Sequence, residues 1–518
     1  MSRLQAMRAS PSVSWRKTLI RLSFLIHRWL GVSLGLMMLV WCLSGIVMLY
    51  KPWPQPDARR ALMAHDMLRF GHPPVVPHMD GRFRAMRLVM VGTVPVLQLF
   101  PTHGPALAYE LRSGAPLAHA HEDASHRLLP LAVRAQVAGT YVDPEGKAGA
   151  GVFRGVRQND QWILDTKGRE AGFDRFDFDD EARSIVYLTA DTGDIVQVTT
   201  RQTRLWAWLG PIPHWLYPAL LRAHPALWAD VVMLVSGAGI LLTGLGLWIG
   251  LRRLRNGRRL TPYRGVHAVH HVLGMICGLF LLSWVVTGFL TMTPGGLMAP
   301  RAAPEWMDRL TGTLPLSALT PALTLLRTHP GAYREIRVLP LADRGFVYAL
   351  DKAGKAIRLD NRLLPAPLNL AALDNAARLT GVHGKIVRLD HDDSYYFSTR
   401  HTSRLFPVYR VTGEDRARLY LDGTSGAAIF HVDASAKELR WIVYGPHDLD
   451  FANWLRHPAV RLFIIVPLLA GMAGLCLSGL CIGVQRILFI RRRRQTAASR
   501  KSHNQSATGK DSQVTRAQ

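Results

Sequence analysis

Four histidines lie near the ends of four long apolar stretches of the sequence. His27 and His271 open the first and third stretches, while His214 and His447 come shortly before the second and fourth. Histidine is a common axial ligand of haem iron, so imidazoles from different helices could hold a haem between them. These residues are the candidates for chemistry, and the apolar stretches are the elements that must position them.

The apolar stretches are each long enough to cross a bilayer, which needs about 20 apolar residues. They cover residues 24–50, 226–251, 269–293 and 459–489. The first is too long for the apolar part of a signal peptide, and no small-residue cleavage site follows it. The sequence therefore predicts a membrane protein with four transmembrane helices, of which the first remains as an anchor.

Lysine and arginine gather beside these spans on one predicted side of the membrane. Arg16, Lys17 and Arg21 precede the first span, and residues 491–494 after the fourth are all arginine. Between the second and third spans lie Arg252, Arg253, Arg255, Arg258 and Arg259. Positive segments near span ends stay in the cytoplasm. We expect residues 1–23, 252–268 and 490–518 to be cytoplasmic, and residues 51–225 and 294–458 to be periplasmic domains of a bacterial inner-membrane protein.

The net charge of +26 belongs mostly to the three cytoplasmic pieces, because the two outer segments are close to charge-balanced. This distribution argues against a nucleic-acid partner. The final segment, residues 490–518, turns from basic to polar and cannot bury a core, so we expect it to be disordered and to contact anionic lipid headgroups.

The outer segments carry the pattern of α+β domains. Short β-rich runs surround turns that contain Asp and Gly, at residues 184–198, 418–430 and, more weakly, 346–357, and such turns favour hairpins. Helical patterns cover residues 321–327 and 370–379. All four cysteines fall inside spans, so these domains fold without disulfides, and no Cys-x-x-Cys-His sequence allows covalent haem attachment.

Hairpins of this kind set between four spans resemble the PepSY-associated transmembrane family over nearly the whole chain. Local matches surround His27, His214, His270 with His271, and His447. That set is similar to the branch containing siderophore-iron reductases. The resemblance implies a membrane α-helical bundle of four transmembrane helices with two periplasmic α+β PepSY-like domains, haem b in the bundle, and electron delivery to periplasmic ferric siderophores.

A first pair of haem ligands is expected near the cytoplasmic face. His27 comes to the same depth as His267, His270 and His271, but adjacent helical residues point about 100° apart, so His270 and His271 cannot aim equally at one iron. We choose His271 because it lies deeper, with His270 as the second choice and His267 as a possible propionate contact. A plain surface cluster of histidines is the alternative.

A second pair is expected near the outer face, where His214 and His447 precede their spans at nearly the same offset. His224 and His457 compete for this role, but each is followed by proline, which favours a helix start there. The family-like surroundings of His214 and His447 decide the choice. Two haems b, each held by two imidazoles, leave neither iron an open position, and this suits electron transfer.

Other polar and small residues have ordinary explanations beside functional ones. Arg28 and Arg264 could pair with propionates or with lipid phosphates. The glycine pairs 31/35, 246/250, 274/278 and 479/483 allow close helix approach, and a flat porphyrin is a secondary reason for them. Asp230 is a proton carrier or a helix cap. Residues 119–126 hold metal-ligand types, although an exposed loop is favoured there.

The predicted function is reduction of a periplasmic ferric siderophore, with release of ferrous iron. No dinucleotide-binding glycine motif is present, so electrons must come from elsewhere. A membrane quinol or a cytoplasmic flavin reductase could supply them at the basic inner face. No catalytic acid or base is assigned, because the work is electron transfer. The alternative is a binding or regulatory module without redox activity, in which PepSY-like domains are merely anchored by the spans.

Overall fold

The computed structural model describes residues 15–117, 129–145, 151–158, 160–163, 172–189, 191–254, 261–399 and 401–489. Four of its helices are long and apolar enough to span a membrane, which confirms the four predicted spans. They are α1 (Trp15–Tyr50), α7 (Pro225–Leu254), α8 (Val266–Leu290) and α14 (Pro458–Phe489). A helix satisfies every backbone polar group internally, which the hydrocarbon core requires. A π-helical stretch, Arg461–Ile465, interrupts the start of α14.

The remaining helices are short and lie between the spans. They are α2 (Ala58–Met63), α3 (Leu131–Val142), α4 (Arg201–Leu209), α5 (Pro211–His214), α6 (Ala219–Arg222), α9 (Glu305–Thr311), α10 (Thr320–Thr328), α11 (Leu370–Leu379), α12 (Ala434–Glu438) and α13 (Gly445–Asp448). Helices α10 and α11 coincide with the two helical patterns predicted from the sequence. Short 3₁₀ turns occur at Pro294–Gly296, Leu316–Leu319 and Asn453–Arg456, and a π-helical turn at Leu439–Tyr444.

The strands form three antiparallel sheets. Their bounds are β1 (Arg82–Val91), β2 (Val94–Pro101), β3 (Leu107–Glu110), β4 (Pro116–Leu117), β5 (Val152–Arg157), β6 (Phe173–Asp177), β7 (Ile185–Leu188), β8 (Ile195–Thr199), β9 (Leu314–Pro315), β10 (Tyr333–Leu341), β11 (Arg344–Asp351), β12 (Ala356–Leu359), β13 (Gly384–Leu389), β14 (Val408–Gly413), β15 (Arg418–Asp422) and β16 (Ala428–Val432). The central sheet has the order β12-β11-β10-β1-β2-β3-β4, with β9 paired to β1. The smaller sheets are β5-β6-β7-β8 and β13-β14-β15-β16.

The three predicted hairpins are confirmed. Strands β7 and β8, β11 and β12, and β15 and β16 pair antiparallel around the expected turns. Gly193, Gly354 and Gly426 in these turns have φ values of 66°, 79° and 79°. Such left-handed backbone is strained for residues with a Cβ, which explains glycine at these positions.

The two outer segments share one sheet and so are less separate than the two predicted domains. Strand β1 of the first segment pairs antiparallel with β10 of the second, with Met86 opposite Val338 and Leu88 opposite Ile336. These residues belong to one buried core. Each segment then adds its own four-stranded sheet. The structure therefore is a four-helix membrane bundle joined to α+β extramembrane regions, of which the central part is common to both halves.

The membrane bundle has an apolar core built from all four spans. Met38, Leu281 and Met472 are buried there with Cys42, Cys277 and Cys476. All four cysteines are free, and Cys481 is exposed. The core packs α1 against α7 and α7 against α8, and it separates the two levels at which the histidines lie.

Candidate functional site

Four histidines from both halves of the chain meet as two facing pairs. His27 on α1 lies opposite His270 on α8, with 6.4 Å between ring centres and 50° between ring planes. His214 at the end of α5 lies opposite His447 on α13, again with 6.4 Å between ring centres and with 64° between planes. The structure thus brings His214 and His447 together as predicted, and it brings His270, the second choice, opposite His27.

Each of these rings is held through its Nδ1 atom by a group on a neighbouring element. Nδ1 lies 2.9 Å from Leu242 O in His27 and 3.2 Å from Leu475 O in His270. In His214 it lies 3.2 Å from Trp41 O. A carbonyl only accepts, so Nδ1 carries the proton in these three rings. Nε2 keeps the electron pair that a metal would bind.

His447 is oriented in the same manner. Its Nδ1 lies 2.9 Å from Thr287 Oγ1 and also contacts the carbonyl of Trp284. In the opposite half, Nδ1 of His214 lies 3.1 Å from Ser44 Oγ. A backbone carbonyl and a hydroxyl one turn of helix apart therefore orient each ring of this pair.

Every one of the four rings packs against a helical glycine. A Cβ placed on Gly246 would come within 2.7 Å of His27 Cε1, and one on Gly479 within 3.0 Å of His270 Cε1. The corresponding distances are 3.4 Å from Gly45 to His214 Cε1 and 3.7 Å from Gly288 to His447 Cε1. Missing side chains thus make room for the imidazoles, most strictly at the first pair.

The pairs are related by an internal repeat in the sequence. One constant separation relates His27 to His270, Gly31 to Gly274, Trp41 to Trp284 and Gly45 to Gly288; a second relates His214 to His447, Leu242 to Leu475 and Gly246 to Gly479. The second half therefore repeats the contacts of the first. This spacing was a signal for His270, because it is His270, and not His271, that corresponds to His27.

His271 is engaged differently. Its Nε2 lies 3.2 Å from Gly250 O on α7, and its ring packs against Tyr263 with 5.4 Å between centres. Nδ1 is buried without a hydrogen-bond partner among the described residues. Nε2, the nitrogen left for a metal in the four paired rings, is thus occupied in His271. The His271 ring faces α7 rather than His27.

A cavity of about 1080 Å³ surrounds the His27–His270 pair. All of the glycines in the four predicted pairs line it, which gives these small residues a second role beside close helix packing. Of the residues considered as propionate contacts, Arg28 and His267 also line it, whereas Arg264 is not among the lining residues. Arg21 and Arg486 add further positive charge to its lining.

Within the described part of the chain, neither pair has a third ligand that would complete a site for a bare metal ion. Among the described residues, no group of three or more His, Cys, Asp or Glu side chains could hold a metal. Two imidazoles bound to one metal at about 2.0 Å, with roughly 1.2 Å from each nitrogen to its ring centre, place the ring centres about 6–6.5 Å apart. The observed 6.4 Å fits a group that supplies its own equatorial ligands, as haem does.

The sequence matches the family model described as "PepSY-associated TM region" over residues 24–482. The chain belongs to the PepSY-associated transmembrane family. The match includes all four paired histidines and both extramembrane segments. No curated protein matches the chain.

The other candidate residues of this PepSY-associated chain lie apart from the pairs. His224 and His457 are exposed at the starts of α7 and α14, and the His457 ring accepts a hydrogen bond from Ala459 N, as a helix cap does. Asp230 is exposed on α7. The predicted loop of metal-ligand types at 119–126 falls outside the described residues.

The His214–His447 pair lies outside the membrane-spanning helices and is neutral near pH 7. Burial, with a smaller contribution from His447, lowers the pKa of His214 to about 4. Burial also lowers the pKa of His447. Both rings therefore keep an unprotonated nitrogen over the physiological range.

A buried ion pair positions the segment that carries His447. Arg440 donates to Asp450 Oδ1 at 2.7 Å and to Asp450 O at 3.0 Å, across the turn that contains α13. Leu449 in this turn has φ 48°. This ion pair, called the clasp below, therefore joins the residues on both sides of His447.

Replacing Arg440 with methionine should lower the free energy of unfolding by about 3–5 kcal/mol, because Asp450 would remain buried and uncompensated. Arg82 is the matched control, since it pairs with Asp343 at the same 2.7 Å but with side chains 53% and 60% exposed, against 9% and 8% for Arg440 and Asp450. Arg82→Met should cost about 1 kcal/mol or less. Denaturant unfolding of the purified protein measures both; equal losses would contradict the role given to the clasp.

Proposed function

We propose that this PepSY-associated chain is a haem b protein that carries electrons across a bacterial inner membrane to a ferric siderophore. One observation supports this most: two facing imidazole pairs, each with 6.4 Å between ring centres and with Nδ1 of every ring held by the protein. His27 with His270 would hold one haem, and His214 with His447 would hold the other. Haem b would supply reversible one-electron transfer at each pair.

The protein's own part is to set the two ligand pairs at different depths and to keep water from the space between. The stretch of α1 from His27 to Gly45, which contacts His214, spans about 27 Å at 1.5 Å per residue. Met38, Cys42, Leu281 and Met472 fill the bundle between these levels and are buried. A redox group at each level would divide a distance that one group alone would have to bridge.

The direction of transfer follows from the predicted orientation. Arg16, Lys17 and Arg21 flank the first span near the His27–His270 pair, so this pair is assigned to the cytoplasmic side. A membrane quinol or a cytoplasmic flavin reductase would donate there. His214 and His447 would then lie on the periplasmic side, where ferric iron becomes ferrous. Ferrous iron binds hard oxygen chelators weakly, so reduction would release it.

Proteoliposomes test this function directly. The purified protein is reconstituted with menadiol, a quinol, inside the liposomes. Ferrioxamine and the ferrous indicator ferrozine are placed outside. We expect coloured ferrous ferrozine to form outside at a rate that depends on the protein. No more colour than in protein-free liposomes, with a sample that also lacks a Soret band, would favour an anchored binding or regulatory module.

Gly246→Ala should reduce the haem content of the first site. A Cβ at this position meets His27 Cε1 at 2.7 Å, so the ring must move away from its place opposite His270. Gly244→Ala on the same helix is the control, because nothing lies within 4 Å of a Cβ there. Displacement of a ligand's support typically costs about 10–100-fold in affinity. Pyridine haemochrome analysis of both variants measures the effect, and equal haem contents would contradict it.

A further inference from the structure

A cavity of about 530 Å³ lies on the central sheet, where the two halves of the extramembrane region meet. Its floor is formed by neighbouring strands β1, β2 and β10, and its wall by residues 194–196 at the start of β8. Cavities at domain junctions are frequent ligand sites. Strand β1 also has an irregular register between Phe83 and Ala85 at the edge of this cavity, a feature common beside functional sites.

Most of the cavity surface is apolar. Ala85, Phe100, Ile195, Val196 and Leu339 line it. Phe100 remains 37% exposed although its aromatic ring would gain from burial. The lining therefore offers a planar apolar surface beside a small residue that leaves room for a ligand.

Most of the polar groups in the cavity are satisfied by one another. Arg87 donates to Asp194 Oδ1 at 2.6 Å and to Glu335 Oε2 at 2.7 Å. The Gln98 side chain accepts from Arg87 at 3.1 Å and donates to Asp194 Oδ2 at 3.0 Å. These groups have little capacity left for a ligand.

Arg337 is the exception. Its Nε lies 2.5 Å from Glu335 Oε1, and this ion pair leaves the two Nη groups outside it. The side chain is 43% exposed at the cavity. Arg337 therefore presents the free edge of a guanidinium to the cavity.

The sheet holds this guanidinium in place at an energetic cost. Arg337 lies directly opposite Arg87 in the register of β1 and β10, and like charges in that position are unfavourable. Glu335, only 1% exposed, bridges the two arginines. Burial alone would raise the pKa of Glu335, but Arg87 and Arg337 hold it below its usual value, so the bridge is ionised. Apolar side chains at these positions would stabilise the sheet without the free-energy cost of buried and like charges. The presence of the charged residues therefore favours a binding role.

We propose that this cavity binds a small organic carboxylate with an aromatic or apolar body. The carboxylate would pair with the free Nη edge of Arg337 in the bidentate manner that guanidinium favours. The body would lie on Phe100 and against Val196 and Leu339. This site is independent of the haem proposal, because none of its residues belongs to the histidine pairs.

Calorimetry of the purified full-length protein with 2-naphthoate and the uncharged 2-naphthamide tests the proposal. We expect naphthoate to bind at least about tenfold more tightly than naphthamide, as one charge-assisted pair provides. Arg337→Met should remove this preference, and Phe100→Ala should weaken both ligands while keeping it. Arg344→Met, at an exposed position on the adjacent strand β11, is the matched control and should bind as the unmodified protein does.

Three results would overturn the proposal: no naphthoate binding by the unmodified protein, equal binding of acid and amide, or an unchanged preference in Arg337→Met. Circular dichroism and thermal unfolding establish that each variant is folded. If Arg337→Met fails to fold, Arg337→Gln keeps a polar side chain without the charge and should still lose most of the preference. The measurement does not depend on haem, so its failure is distinct from failure of the proposed electron transfer.

Discussion

Replacing His270 with alanine should remove about half of the haem from the purified protein, because one of two axially ligated sites loses a ligand. The His270 ring lies 6.4 Å from the His27 ring, and its Nδ1 is held by Leu475 O. His27 would be left as the only ligand of the pair and cannot take the place of His270. A five-coordinate haem that stayed bound would become high-spin. Pyridine haemochrome analysis gives the content, and electron paramagnetic resonance gives the spin state.

His271→Ala is the matched control, since the two histidines are adjacent on α8. His271 directs Nε2 to Gly250 O and packs on Tyr263, so its loss should leave the haem content and the low-spin signal nearly unchanged. The opposite pattern, with His271→Ala losing haem and His270→Ala keeping it, would show that the ligand is His271. Loss in neither variant would contradict a haem at this level.

Replacing His447 with alanine should abolish reduction of the external ferric chelate while leaving the first haem in place. His447 and His214 form a separate pair at the far end of the bundle, and α1 alone puts about 27 Å between the two levels. Electrons would then reach His27 and His270 but have no route outward. We expect the proteoliposome rate to fall to about 1% or less, with about half of the haem retained.

His457→Ala supplies the control for this variant. His457 is exposed and caps the start of α14, so its replacement should cost at most about 1 kcal/mol of stability and leave reduction intact. An undiminished rate of ferric chelate reduction by His447→Ala would contradict a haem site at His214 and His447. Loss of both haems would instead show that His447 supports the whole bundle rather than one level of it.

Local patterns of the sequence were sufficient for the spans and the hairpins. Apolar stretches and turns with Asp and Gly are determined by residues that are close together in the chain. The sequence therefore predicts the four spans, which are α1, α7, α8 and α14, and the turns at Gly193, Gly354 and Gly426. The pairing of β1 with β10 does not follow. The register that puts Arg87 opposite Arg337 joins residues far apart in the chain, and it made one shared sheet where two domains were expected.

The candidate site was predictable in its residues more than in their pairing. Depth in the membrane favoured His271 over His270, but rotation about the α8 axis decides which ring faces α1. The constant separation that relates His27 to His270 and Gly246 to Gly479 carries that rotational information, since repeated halves make repeated contacts. The orienting groups, such as Leu242 O and Trp41 O, are backbone atoms and leave no trace in residue types.

The ratio of haem to polypeptide in the purified full-length protein tests the central claim most directly. Pyridine haemochrome analysis combined with quantitative amino-acid analysis should give about two haems b for each chain, all low-spin in the oxidised state as two axial imidazoles require. A colourless preparation, or haem bound well below one for each chain in protein expressed with sufficient haem, would contradict the account.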